Sequence, residues 1–452
     1  MTDKEVNRDV ELPDTVTAPV DERPGLLQMV LLGLQHTLVM YAGVVVVPIV
    51  FGTSIGLSDA ELANLVSIDL VLAGIGTLLQ ALGLWKFGIR MPLVVGAASS
   101  GIVPMVLVGQ NQGMATVYGS LLVAGVVWIV VAPYFSMLLK LFPAVVTGTV
   151  IALIGLTLIP VGIRLIAGSD AGAADYGNLG HIALAAATMA LMVLFRRLFT
   201  GLLGQLSILL ALVIGAIAGW VTGIGSLSGI GGGPIVGMMR PFHFGALQFH
   251  VPSILLFLVI VFVLMVEGAG QGLAVGQVVG KPVGPNEIAR LLRVDGLMTA
   301  FSGVFNGFVY TTFGQNIGLI ALTGVRSRFP VAVGGVILLV LGLVQPVGRV
   351  AAAIPEPVVG AAALVTFGAL AVAGIQILAR VDFGRPSNLM IVMLSLGVGL
   401  IPAYAPRFYH QLPTFAEMFF KSGVATGTLL ALVLNVVFHE LRRPARPSES
   451  PS

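Results

Sequence analysis

Long apolar runs separated by short polar loops make up most of this chain. A helix crosses a bilayer core with about 20 mostly apolar residues. Segments of that kind fall at 25–51, 60–83, 92–109, 114–139, 142–166, 178–195, 202–223, 251–275, 293–306, 308–324, 329–350, 355–378, 388–405 and 421–439. The pattern predicts fourteen membrane spans with both termini on one side. Three of these spans, 92–109, 293–306 and 308–324, are short or polar for the task.

The cations test that topology. With fourteen spans, 18 of the 23 Lys and Arg residues fall on one side and five (Arg164, Arg240, Arg349, Arg407, Lys421) on the other. Lys and Arg favour the cytoplasmic face, so both termini are expected there. Merging 293–306 with 308–324 would flip every later loop and erase the asymmetry.

At an offset of 212, Phe142–Ile163 aligns with Ile354–Ile375, matching Pro143 to Pro355, Gly148 to Gly360 and Gly162 to Gly374. Near an offset of 217, GAASSGIV from Gly96 aligns with FGQNIGLI from Phe313. The matched spans are five with twelve and three with ten, so the repeating unit is seven spans. An odd unit enters the membrane from opposite sides in its two copies, which makes the repeat inverted. Inverted repeats place substrate sites near the midplane, on discontinuous helices. The expected fold is an all-α membrane protein of fourteen transmembrane segments in a 7+7 inverted repeat.

Segments three (MPLVVGAASSGIVPM) and ten (FVYTTFGQNIGLIALTG) each open with a β-prone stretch, Leu93–Val95 and Phe308–Phe313, and then become helix-like. Extended backbone at membrane depth must be buried in protein or line a cavity. Two short strands pairing with each other meet that demand; closed irregular packing is the other reading. The half-helices that follow would aim free N–H groups and positive dipole ends at a ligand.

Ionisable residues inside apolar spans are expensive and so are functional candidates. Glu267, in LMVEGAGQG, is the strongest such signal, and Gln271 shares its helix face one turn on. Asp295 stands near the start of span nine, as a buried site acid or a solvated helix-end acid beside Arg293. Gln315 and Asn316 open the second half-helix, and His36 sits mid-span as a site group or a hydrogen-bonded structural residue. Asp69 reads as a structural hydrogen-bonder, with a place in a proton path as the other reading. A buried carboxylate accepts hydrogen bonds and a primary amide both donates and accepts. Glu267 with Gln315 could therefore clamp the edge of a flat heterocycle. A carboxyl in oil sheds its charge by taking a proton, so Glu267 or Asp295 is expected to exchange one with the coupling gradient.

Composition narrows the classes. The chain of 452 residues is 57% hydrophobic and only 10% charged, with mean hydropathy +1.02. Soluble domains carry roughly a quarter charged residues, so a soluble enzyme is excluded. The net charge of +3 comes from scattered cations without a basic run, and no nucleic-acid partner is expected. There is no Cys, and no HExxH, CxxC or Walker A pattern. Neither catalytic residues nor a metal site nor a cofactor is expected, only H+ as coupling ion. Residues 1–24 and 440–452 read as polar tails, the first as a disordered one.

The stretch FNGFVYTTFGQNIGLIALTGVRSR (Phe305–Arg328) resembles the signature of the nucleobase–ascorbate transporter family, also called nucleobase–cation symporter-2. Its core, Q/E-N-x-G-x(4)-T, is met by Gln315, Asn316, Gly318 and Thr323. Gln35 and His36 resemble the family's Gln-His motif, Glu267 its span-eight glutamate and Asp295 its span-nine aspartate. The resemblance implies a core domain at 25–139 and 251–350, a gate domain at 142–223 and 355–439, and a homodimer contacting through the gates. It further implies proton-coupled, elevator-type uptake of a nucleobase across the cytoplasmic membrane. Gln315 and the TGVRSR tail are similar to the purine branch, the xanthine and uric acid permeases, more than to uracil permeases. By position, Glu267 and Gln315 would bind the base, Asn316 would shape the site and Ser100 would tune which purine fits. Asp295 and His36 would support coupling and conformation. Where the purine branch usually has an aspartate, this chain has Gln271, which carries neither charge nor proton. Other expectations are a different nucleobase, an inorganic-anion transporter of the same fold, or a membrane scaffold without transport. Neutral Ser99, Ser100, Gln315 and Asn316 beside an acidic Glu267 argue against an anion site.

Overall fold

The computed structural model describes residues 19–135, 142–168, 176–227, 230–232, 234–237 and 239–440, apart from the side chains of residues 42, 315, 322, 414, 415, 418 and 440. The first half runs α1 (Leu26–Ser54), α2 (Asp59–Leu82), strand β1 (Val95–Ala97), α3 (Ile102–Gln112), α4 (Met114–Val131), α5 (Ala144–Ala167), α6 (Leu179–Leu198), the short α7 (Gly201–Gln205) and α8 (Ser207–Val221). The second runs α9 (Val251–Val279), α10 (Pro285–Phe305), β2 (Tyr310–Thr312), α11 (Gly314–Thr323), α12 (Phe329–Leu343), α13 (Gln345–Ala352), α14 (Glu356–Leu378), α15 (Pro386–Tyr404), α16 (Thr414–Lys421) and α17 (Gly423–Asn435). The protein is an all-α membrane protein with two short strands. Among the described residues eight helices are long and apolar enough to cross a membrane, and three shorter apolar ones span 207–221, 329–343 and 423–439.

Local chemistry sets several boundaries. A capping box starts α2: the Glu61 backbone N–H donates to Ser58 Oγ, and Glu61 Oε2 accepts the Ser58 N–H at 3.0 Å. Left-handed Gly280 ends α9, and α10 opens at Pro285 with the Glu287 carboxylate accepting the Gly284 N–H at 3.0 Å. This start lies eight residues before the 293 expected from hydropathy, because a capped polar turn extends the helix beyond its apolar stretch.

The helices pack in two sets. In the first, α2 lies on α12 and α13, α4 on α10, and α1 on α12; in the second, α5 lies on α14, α15 on α17, and α6 on α8. Helices α1 and α9 of the first set also touch the second. Small residues let the helices approach: a Cβ at Gly155 of α5 would come within 2.3 Å of the Ala371 backbone of α14. These are the two segments that align at the 212-residue offset.

The strands pair antiparallel, with Val95 opposite Thr312, Gly96 opposite Thr311 and Ala97 opposite Tyr310. Bonds from Ala98 N–H to the Val309 carbonyl (2.7 Å) and Phe313 N–H to the Val94 carbonyl (2.8 Å) continue the ladder. Buried threonines tie each strand to a helix: Val95 N–H donates to Thr77 Oγ1 of α2 at 3.0 Å, and Tyr310 N–H to Thr299 Oγ1 of α10 at 3.1 Å. The extended backbone is satisfied inside the protein, as the bilayer requires. Strand β1 sits two residues beyond the β-prone Leu93–Val95, over the poor strand formers Gly96 and Ala97. Packing overrides propensity there: the Phe313 ring lies on Gly96, and a Cβ at that glycine would come within 2.4 Å of it.

Residues 1–18 of the expected disordered tail, and residues 441–452 of the other, lie outside the described residues. Residues 19–24 of the tail correct that expectation. Pro19–Asp21 form a 3-10 turn with Val20 buried, Asp21 pairs with Arg328 at 2.7 Å, and the Ser327 hydroxyl donates to the Glu22 carbonyl at 2.6 Å. A buried apolar side chain, the Arg328 cation and bonds from Ser327 and the Arg328 backbone tie it to the start of α12.

Candidate functional site

The two broken segments converge because their strands pair. A 3-10 turn at Ser99–Gly101 leads from β1 into α3, and β2 runs through Phe313 into α11. No side chain caps the start of either half-helix. First-turn N–H groups at such starts have no intrahelical acceptor.

Three polar clusters surround this junction. Asn316, fully buried in the first turn of α11, donates from Nδ2 to the His36 carbonyl at 3.0 Å and to His36 Nδ1 at 3.1 Å. This bond makes Nδ1 of His36 an acceptor and fastens α11 to α1. The other amide atom, Asn316 Oδ1, is buried without a partner among the described residues. Glu267 and Gln271 lie on the same face of α9, and Gln271 Nε2 donates to Glu267 Oε1 at 3.1 Å. The Gln271 amide also abuts Gly314 at the start of α11, and its Oε1 is buried and unpartnered.

The third cluster holds Asp295, fully buried within α10. It accepts from Gln80 Nε2 at 3.2 Å and Thr311 Oγ1 at 3.4 Å, while its Oδ2 lies against Gly268, the residue after Glu267. The solvated helix-end reading therefore fails, since the early start of α10 carries Asp295 inside. Ser100 is buried in its 3-10 turn, with an unpartnered Oγ. Gln315 follows Gly314 in α11, but its side chain lies outside the described residues.

Other polar residues, not singled out by the sequence pattern, carry equal weight. Gln80, which also donates to the Leu291 carbonyl at 3.0 Å, orients Asp295. Its position in an apolar span is the signal that exposed Glu267. Tyr310 and Thr311 point to partners on α2 and α10 that strand-like spacing cannot name. Asp69, read as a structural hydrogen-bonder, accepts the Tyr310 hydroxyl at 2.5 Å. Among the described residues the ion pairs are Arg328–Asp21, Arg385–Asp382 and Lys421–Glu417, so Glu267, Asp295 and Asp69 are acids without a cation.

Two cavities lie along the contact between the helix sets. One, of about 480 Å³, opens between α3 and the second set near Arg164 and Lys421. The other, of about 770 Å³, runs from Phe313, Met40 and Gly43 to Arg196, Arg197 and Gln205. The described lining of neither contains Glu267 or Gln271.

Apolar helices around paired, interrupted segments with buried acids define an integral membrane transporter. The family model described as a permease family (Xan_ur_permease) matches residues 27–408. The chain is 36% identical to the xanthine permease of Bacillus subtilis over 417 residues, covering 92% of this chain and 95% of that one. It is 38% identical to the uric acid transporter UacT of Escherichia coli, covering 93% of this chain and 89% of that protein. Solved structures share the fold at low identity. The transmembrane domain of the cyanobacterial bicarbonate transporter BicA matches at TM-score 0.55 and 18% identity, over 92% of this chain and 100% of that one. The murine Solute Carrier 26 family member A9 anion transporter, in its inward-facing state, matches at 0.56 and 14%, over 92% and 69%. The chain belongs to this permease family, the nucleobase–cation symporter-2 family.

Proposed function

We propose that the protein takes up a purine nucleobase, xanthine or uric acid, across the cytoplasmic membrane in symport with protons. The names of the relatives support the substrate class. The observation that carries the reading is Glu267, an acid without a cation, held by Gln271 against the start of half-helix α11. One carboxylate oxygen is engaged by Gln271; the other is available to a ring N–H. Gln315 is assigned the facing donor and acceptor, Asn316 and His36 hold the half-helix in place, and Ser100 closes the opposite side. A purine lacking the matching N–H and C=O groups would leave these buried atoms unpaired and be rejected.

Protons are assigned to Glu267 and Asp295, neighbours across the α9–α10 contact. A carboxyl without a cation crosses the low-dielectric interior best in its neutral form. Fourteen spans in a 7+7 inverted repeat fit the two broken segments, and the two helix sets fit a core (25–139, 251–350) moving as an elevator along a gate (142–223, 355–439). Both termini then face the cytoplasm, and the gates form the contact of a homodimer. Nothing in this mechanism calls for catalysis or a metal.

Purified protein in proteoliposomes should take up labelled xanthine or urate under an inward proton gradient. Uptake should collapse when an uncoupler dissipates the gradient. Uptake that ignores the gradient removes proton coupling, and chloride or sulfate transport without purine uptake replaces the reading with an anion transporter.

A further inference from the structure

The larger cavity is apolar at one end and cationic at the other. Its apolar end is lined by Met40 and Phe313, and Phe313 is the residue that leads from β2 into α11. Its outer end carries Arg196 and Arg197, which end α6, and Gln205, which ends α7. Neither guanidinium makes an ion pair or hydrogen bond among the described residues, and Gln205 Oε1 is buried without a partner. Arg196 lies close to Gly204, one residue from that amide. Two exposed planar cations thus stand at the mouth of a cavity that also holds a buried orphan acceptor. Its volume, about 770 Å³, falls in the range of small-molecule sites.

An oxopurine is a weak N–H acid whose conjugate base spreads its charge over a flat ring. Guanidinium groups suit that ion, because they pair with carbonyl and anionic oxygens in a planar fork and stack on flat rings. Gln205 Oε1 can accept a remaining ring N–H, and the Phe313–Met40 wall takes the ring face. We propose that this cavity is a second, transient substrate site, in which Arg196, Arg197 and Gln205 hold the oxopurine as its anion between the Glu267 site and the face where α6 ends. The inference rests on the proposed purine substrate. It assigns the cavity a charge preference opposite to that of the acidic central site, where an anion is disfavoured beside Glu267. The neutral purine would leave the acidic central site, lose a proton to solvent and be drawn toward the arginine pair.

Its test is a sided measurement on the full chain. Equilibrium exchange of labelled urate across proteoliposomes gives an apparent KM from each face, with orientation fixed by protease accessibility of the termini. The R196Q/R197Q variant is expected to raise KM about tenfold from the arginine-bearing face, the scale of one lost charge-assisted contact. KM from the other face should stay as in wild type. The R196K/R197K variant should recover part of the loss, and Q205L should raise the same sided KM with both arginines intact, which separates the effect from misfolding. Equal KM values from both faces in all variants overturn the second site. A loss seen only in liposomes containing phosphatidylglycerol, and absent in phosphatidylcholine, assigns the arginines to lipid headgroups and overturns it too. Wild-type protein that exchanges no urate from either face overturns the purine reading itself.

Discussion

Gln271 donates to Glu267 at 3.1 Å while its own carbonyl oxygen stays buried and unpartnered against the start of α11. In the proposed site the amide fixes which carboxylate oxygen is engaged inside the protein and which would be left for a ring N–H. Glu267→Gln replaces an acceptor with a second amide. A hydrogen bond to a charged group is worth about 1.5–3 kcal/mol. Purine affinity should therefore fall by roughly tenfold to more than a hundredfold, beyond detection for a weak ligand. Gln315→Ala should do the same, and Gln271→Ala should weaken binding less, because Glu267 keeps its charge. Scintillation proximity binding to purified protein reads all three; a variant binding like wild type removes its residue from the site.

Asp295 makes a different prediction, since its partners are Gln80 and Thr311 rather than the substrate pair. Asp295→Asn preserves shape and much of the hydrogen bonding but cannot carry a proton. Binding should persist within a few-fold while uptake against a gradient is lost. Counterflow at zero proton gradient, compared with gradient-driven uptake in the same vesicles, separates the two. Normal concentrative uptake by the variant would exclude Asp295 from coupling.

The Tyr310 hydroxyl donates to Asp69 Oδ1, Asp69 is in none of the ion pairs among the described residues, and its Oδ2 is buried without a partner there. Tyr310→Phe strands a buried carboxyl, at a cost of about 1–3 kcal/mol. Replacing both partners, as in Asp69→Leu with Tyr310→Phe, should cost less than the sum of the single changes. Thermal unfolding in detergent across this double-mutant cycle measures the coupling; strictly additive losses would show that the pair does not hold β2 to α2.

Gly96 is required by contact rather than by turn geometry. Even an Ala Cβ would press into the Phe313 ring, which is wedged between Gly43 and Gly96. Gly96→Val should separate the strands, lower Tm and abolish transport. Gly96→Val combined with Phe313→Ala should recover part of the stability, because the clash is then relieved. No recovery would place the defect elsewhere.

Arg328 bonds the Asp21 carboxylate at 2.7 Å and the Ala81 and Leu82 carbonyls at the end of α2 at 2.8 and 3.2 Å. Arg328→Ala should release residues 19–23 while leaving purine binding intact, since its side-chain bonds go to Asp21, Ala81 and Leu82 and to none of Glu267, Gln271 or Asn316. Faster proteolysis at the N-terminal segment, with unchanged binding, is the expected outcome. Protection equal to wild type would show that Val20 and the bonds from Ser327 and the Arg328 backbone hold the segment without the guanidinium.

Much of the site was legible because oil makes polar residues conspicuous. Glu267, Asp295, His36 and Asn316 stand out against apolar neighbours, and the same rule, applied to Gln80, would have found the donor that orients Asp295. Boundaries were less legible. Hydropathy placed the start of span nine at 293, whereas a proline and a capping glutamate start α10 at Pro285. Propensity placed the first strand on Leu93–Val95, whereas pairing with Tyr310–Thr312 moved it onto Val95–Ala97.

The linear order of residues determined on its own that this is a membrane protein with two interrupted segments and acids at depth. Transfer free energy acts residue by residue and needs no neighbours to be read. Partners were decided only by the folded chain. That Asn316 would grasp His36, Gln80 would meet Asp295, and Tyr310 would reach Asp69 depends on residues 215 to 280 positions apart meeting across packed helices. So does the chamber between Phe313 and the arginine pair, whose walls come from four separate stretches of chain. Hydrogen bonds are short-ranged and directional, and their pairing exists only once tertiary packing has brought donor and acceptor within about 3 Å.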